Sequence, residues 1–185
     1  MIQIRFIEER IKYTGKELKS HFAYKDFDVE GDSIIAFCGI CDVAASDLVD
    51  LADAKTESDI YSDDMLHFIA EFFDNDLEKT ILRQRLLMAI IKEEIRLRSD
   101  TKVIRIGDDI YEGDHKVTVS IATATTVSTM IHAGVNIVSD FAPVKVKGLK
   151  DYGIDAPPFA HSVMEKFKKE MEGIRIARCK VRGVE

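Results

Sequence analysis

Apolar and polar residues alternate from Ile2 to Ile7, and this spacing predicts a first β-strand. A short apolar run from Ser33 to Cys38, preceded by the turn residues Glu30-Gly31-Asp32, predicts a second. Between Val43 and Lys55 the apolar Leu48, Val49, Leu51 and Ala52 fit a helix, with Asp47, Asp50, Asp53 and Glu57 spaced by three or four residues along one face. The run MLHFIAEFF, Met65 to Phe73, is aromatic-rich, short and bounded by acidic turns, so a strand is expected with Leu66, Phe68, Ala70 and Phe72 on its core face. The longest helix is expected from about Asp76 to Arg98, opened by acids and closed by Arg96 and Arg98 as the helix dipole favours.

Beyond Asp100 the pattern gives strands at Val103 to Ile106, Asp109 to Tyr111, His115 to Ala122 and Val127 to Ile137, pairing as antiparallel neighbours. Pro157 and Pro158 open a helix through about Met171, and Ile174 to Val181 is expected to form a last strand. No regular βαβ alternation appears, so the fold class is α+β, a mainly antiparallel mixed sheet packed by helices. No repeat or Pro/Gly/Ser linker divides the chain, and a length of 185 residues fits one domain, 1–185.

Charge narrows the partners. The formal net charge is −7 with acids spread along the chain, which disfavours nucleic acid. The start lacks a secretory apolar region and no run approaches the roughly 18 apolar residues of a membrane span, so a cytoplasmic protein without membrane association is expected. A homodimer is compatible with the sequence, which does not fix the oligomeric state. Three cysteines, Cys38, Cys41 and Cys179, fit a reducing compartment. Cys38 and Cys41 have the CxxC spacing of redox dithiols but end an apolar strand instead of opening a helix, so structural thiols are expected. The Asp47, Asp50, Asp53 and Glu57 stripe reads as a solvated face, since a straight stripe does not converge on a cation.

Candidate chemistry comes from counting strand faces. In HKVTVSIA, Lys116, Thr118 and Ser120 point away from Val117, Val119 and Ile121; in STMIHAGVNI, Ser128, Met130, His132, Gly134 and Asn136 point away from Ile131, Ala133, Val135 and Ile137. Paired as a hairpin, the two polar faces would share one side of the sheet and form a pocket floor, with Gly134 leaving room above the backbone. A half-solvated sheet face gives the same pattern. His132, with polar neighbours that include Lys116, is the favoured general acid or base over His67, His21, His115 and His161.

The segment RIGDDIYEGDHKVTVSIATATTVSTMIHAGVNI, Arg105 to Ile137, resembles biotin- and lipoate-protein ligases, in which an Asn-Asp turn precedes a lysine strand and a strand ending Gly-(apolar)-Asn. Over nearly its whole length, including YTGKEL, GDSIIAF and RQRLL, the chain also resembles an archaeal family of uncharacterised proteins defined as a domain of unknown function. The ligase resemblance implies a biotin/lipoate-protein ligase-like fold and a small-molecule site with Lys116 and Asp109 as catalytic candidates and Asp108, Gly134 and Asn136 as ligand-binding candidates; the strand faces add His132 as a catalytic candidate and Thr118 and Ser120 as ligand-binding ones. The cofactor is left open, with ATP and magnesium as the candidates the resemblance brings; no metal ligands are assigned.

Two functions follow. One is an acyl- or nucleotidyl-transferring enzyme in which Lys116 stabilises charge developing on the transferred group and Asp109 helps position the nucleotide or its metal. The other is a non-catalytic ligase-like domain acting through protein or metabolite binding. The chain departs from the ligases where their Gly/Arg-rich phosphate loop stands: Ala52 to Asp64, ADAKTESDIYSDD, is acidic and has no glycine. Asp108 stands where they have asparagine and Gly107 where many have proline. These departures favour the non-catalytic form, whereas the retained Lys116 and Asp109 favour a ligase-like small-molecule site with transfer, which is the leading reading.

Overall fold

In the computed structural model, described for residues 1–55, 60–138 and 145–184, strand β1 (Gln3–Ile7) leads to a short helix α1 (Phe22–Phe27) and strand β2 (Ser33–Val43). A single 3-10 turn and helix α2 (Leu51–Lys55) precede β3 (Ile60–Phe72) and the long helix α3 (Leu77–Arg98). Short strands β4 (Ile104–Ile106), β5 (Asp109–Glu112) and β6 (His115–Lys116) follow, then β7 (Thr118–Ala124), β8 (Thr129–Asn136) and helix α4 (Ala156–Cys179).

Five strands form one sheet in the order β1-β2-β3-β8-β7, with β1 parallel to β2 and the rest antiparallel; β4, β5 and β6 form a separate antiparallel sheet. The α+β class with a mainly antiparallel mixed sheet is therefore the one found. Strand β3 sits at the centre because it is apolar on both faces. Leu66, Phe68, Ala70 and Phe72 pack under α3 and α4, while Met65 and Ile69 join a second cluster with Tyr13, Phe22, Ile35 and Phe37. Each large side chain fully removed from water there contributes about 1.5–3 kcal/mol.

The helices form as their patterns demand. Asp76 caps α3 by accepting a hydrogen bond from Lys79 N at 2.9 Å, and Leu87, Met88, Ile91 and Ile95 form its buried stripe. Pro157 and Pro158 lie in the first turn of α4, where the missing N–H groups cost nothing, and Phe159, Val163 and Phe167 face the core. Glu94 of α3, 1% exposed, is ion-paired with Arg98 and with Lys166 of α4, which ties the two helices together.

Two expected elements differ. Val43 to Lys55 is not one helix: β2 runs on to Val43 past a register shift between Gly39 and Cys41, pairing with the first residues of β3, and only Leu51–Lys55 is α-helical. Only Val43 of this span joins the ladder; Ala45–Asp47 makes a 3-10 turn before α2 begins. Asp47 and Asp50 thus do not share a helix face; the side chain of Asp53 and the whole of Glu57 lie outside the described residues. Ile174 to Val181 is not a strand, because α4 continues to Cys179 and leaves Ile174 and Ile176 exposed. A strand needs a neighbour for its backbone groups, whereas a helix satisfies its own. No helix among the described residues is long and apolar enough to cross a membrane.

Candidate functional site

Strands β7 and β8 pair in a register that places Ile121 opposite His132 and Val119 opposite Gly134. On the other face Thr118 stands opposite Val135 and Ser120 opposite Ala133. The expected shared polar face is therefore corrected: the register puts Thr118 and Ser120 with the residues under the helices, while His132 and Gly134 face the other way beside Val119 and Ile121. Side chains alternate strictly along a strand, so an offset of one residue exchanges faces. Lys116 escapes this alternation because the chain leaves the small sheet at β6 and enters the large one at Thr118, with Val117 buried between them.

That change of sheet makes a cleft of about 290 Å³. Val119, Ile121 and His132 line it from the large sheet; Asp108, Asp109, Tyr111 and Lys116 line it from the small one. Tyr13, Gly15 and Leu18, together with Asp47 to Asp50, complete the wall. Lys116, Asp109 and His132 thus meet in one cavity, as does Asp108. The Lys116 ammonium lies 2.7 Å from Asp109 Oδ2, with the lysine side chain 30% exposed and the aspartate 14%. Thr118 supports this pair from behind: its Oγ1 accepts from Ile110 N at 2.8 Å and stands 3.5 Å from Asp109 Oδ1.

The remaining candidates have other duties. Ser120 lines the cleft, but its hydroxyl donates to Asp108 O at 2.7 Å and accepts from Gln84 Nε2 at 2.8 Å. Gly134 leaves no room for a ligand, because a Cβ there would lie 2.3 Å from the Met65 sulfur that already covers it. Asn136, 5% exposed, is positioned with its Nδ2 3.4 Å from Lys116 O and is not among the described lining residues; nor is Thr118.

Four residues were missed in the face count: Tyr13, His67, Asp47 and Asp50. The Tyr13 ring stacks on His132 with centroids 3.8 Å apart and planes 10° from parallel. His67 Nδ1 lies 3.0 Å from His132 Nε2, and His67 Nε2 lies 3.3 Å from Gly39 O. A carbonyl only accepts, so His67 Nε2 carries the proton, its Nδ1 accepts from His132 Nε2–H, and the lone pair of His132 is left on Nδ1. Both rings are neutral: burial lowers His67 to about 3, and burial, aided by His67, holds His132 well below its ordinary value. Tyr13 was legible only as part of the YTGKEL stretch, and Asp47 and Asp50 read as a solvated stripe.

The implied ATP and magnesium do not fit this lining. A triphosphate would meet Asp47, Asp50, Asp108 and Asp109 with Lys116 as the sole cation among the described lining residues, and that lysine is held by Asp109. Among the described residues no group of three or more His, Cys, Asp or Glu is placed to hold a metal ion. The CxxC pair carries no reactive thiol: burial, reinforced by nearby carboxylates, pushes Cys38 up to about 11 and Cys41 to about 12.

Comparison with known proteins places the fold and the family. A structure of a mutant biotin protein ligase from Aquifex aeolicus in complex with biotin superposes with a TM-score of 0.61 at 12% identity, covering 92% of this chain and 70% of that one; it shows a common fold. A protein of unknown function from Pyrococcus horikoshii superposes with a TM-score of 0.93 at 35% identity over 100% of both chains. An uncharacterised protein of Methanocaldococcus jannaschii, MJ0805, is 41% identical over 180 residues, 94% of this chain and 81% of that protein. The model of the DUF366 domain of unknown function matches residues 2–182, so the chain has a ligase-like fold and belongs to the DUF366 family.

Proposed function

We propose that the protein binds a small molecule in the cleft between its two sheets, with Lys116, Asp109 and His132 as the groups that meet the ligand. The observation that carries this reading is their convergence: a cation, its carboxylate partner and a neutral buried imidazole, drawn from separate strands, line one cavity of about 290 Å³. That volume lies at the small end of the roughly 300–1,000 Å³ range of small-molecule sites.

The reading has a catalytic and a non-catalytic form. Acyl or nucleotidyl transfer through Lys116 is supported by the place of Lys116 and Asp109 in a cleft of a ligase-like fold. Metabolite binding without transfer is supported by the acidic lining and by the Lys116–Asp109 contact, which engages the ammonium a phosphate would need. We favour the second form.

A thermal-shift screen tests it. The purified protein and Lys116→Ala are heated with ATP, biotin, lipoate, octanoate and small amines, with and without magnesium; a ligand that binds only the folded state raises Tm by mass action. The expected result is a shift in the wild type that Lys116→Ala reduces. No shift with any compound would overturn the reading. Pyrophosphate release from ATP would reinstate the transferring form.

A further inference from the structure

We propose that the cleft is built for a positively charged, donor-rich small molecule, an amine or guanidine, and against anions. This rests on the cleft being a ligand site and goes further by naming the class of ligand. Two independent features point the same way. The first is charge: Asp47, Asp50, Asp108 and Asp109 line the cavity against Lys116 as the one cation among its described lining residues, and Lys116 is paired with Asp109. Arg85, outside the lining, forms a partly solvated ion pair with Asp108 at 3.5 Å, and Gln84 Nε2 lies 3.4 Å from the same carboxylate, so part of the Asp108 charge is offset there. The summed field inside attracts cations.

The second feature is His132. Its ring is 3% exposed and lines the cleft, and its Nε2 is committed to His67. Among the described residues no protein donor is hydrogen-bonded to its Nδ1, so this cleft-lining ring keeps a lone pair that a ligand N–H can meet. An anion or a carbonyl brings a second acceptor to that atom and leaves both unsatisfied; an ammonium or guanidinium supplies the missing donor. The chain from Gly39 O through His67 fixes which nitrogen is the acceptor, so His67 is a positioning residue. Tyr13 stacked on His132 with Val119 and Ile121 beside it gives the ligand an apolar, partly aromatic floor.

Titration calorimetry with putrescine, agmatine and benzylamine, set against ATP, biotin, lipoate and octanoate, separates this inference from the reading beneath it. Amines are expected to bind the wild type, and the double variant Asp47→Asn/Asp108→Asn to weaken them roughly tenfold, since each partly exposed charge is worth up to about a fivefold effect. Both aspartates are solvent-accessible, so the double variant keeps its fold, checked by circular dichroism. His132→Phe, which preserves the stack on Tyr13, is expected to abolish amine binding. Binding of an anion but no amine would overturn the inference and leave the ligand site standing. Equal amine affinity in wild type and double variant would also overturn it, as surface attraction. Binding of no probe would overturn both.

Discussion

His67 Nδ1 and His132 Nε2 lie 3.0 Å apart on neighbouring strands, with the proton order fixed by the Gly39 carbonyl at the far end. Two imidazoles buried in contact must both stay neutral, since a proton on either would be desolvated beside the other.

Stability should therefore fall in mild acid. Burial lowers His67 to about 3 and His132 well below its usual range, while both titrate near 6.5 when unfolded. Below that pH the unfolded chain binds more protons than the folded one, so the contribution is fully present above about 6.5 and is lost as pH falls. Each histidine adds a slope of up to about 1.4 kcal/mol per pH unit. Urea midpoints at pH 7.5, 6 and 5 are expected to drop in that order; a flat profile would show that the native rings accept protons freely.

Gly39 is sterically compulsory. A Cβ there would lie 1.9 Å from the backbone oxygen of Ile11, whose N–H donates to Cys38 O at 3.0 Å, so relief requires the two segments to separate. Gly39→Ala is expected to cost about 3 kcal/mol. Gly173→Ala, with open space around its position, serves as the control and should be neutral or slightly stabilising. Equal denaturant midpoints for the two variants would refute the close approach.

The polar relay from Gln84 through Ser120 to Asp108 O holds β7 and the turn before β5 against α3. Removing the middle hydroxyl leaves Gln84, 2% exposed, without its short partner. Ser120→Ala is expected to lose roughly 1–2 kcal/mol, and the double variant Ser120→Ala/Gln84→Leu to recover part of it, because the buried amide is gone. Additive losses in a double-mutant cycle would mean that the two groups do not interact.

Lys116 should matter for the ligand and little for the fold. Its pair with Asp109 is partly solvated, so Lys116→Ala is expected to change stability by less than about 1 kcal/mol. The ligand-induced thermal shift should nonetheless shrink. A loss of several kcal/mol in the unliganded protein would make Lys116 a structural residue.

Periodicity made β1, α3, the core face of β3 and the apolar face of β8 legible, because each of these is set by which side of one element must leave water. Lys116, Asp109, Asp108 and His132 were legible as residue types suited to a site, and they do line one cleft. Ile174 to Val181 misled because two apolar residues at alternate positions say nothing about whether a partner strand exists. At Val43 to Lys55 the helical spacing is realised only in Leu51–Lys55, because Val43 belongs to the ladder with β3 and Ala45–Asp47 to a 3-10 turn.

The sequence by itself determined the class of fold, the apolar faces and the chemistry at hand, since these follow from local periodicity and residue type. The register of β7 on β8, the stacking of Tyr13 on His132, the proton order through His67 and the placing of Asp47 and Asp50 in the same cleft as Asp108 were decided only by tertiary structure. The physical reason is that each joins residues far apart in the chain, and an offset of one position in a strand reverses which side its groups face.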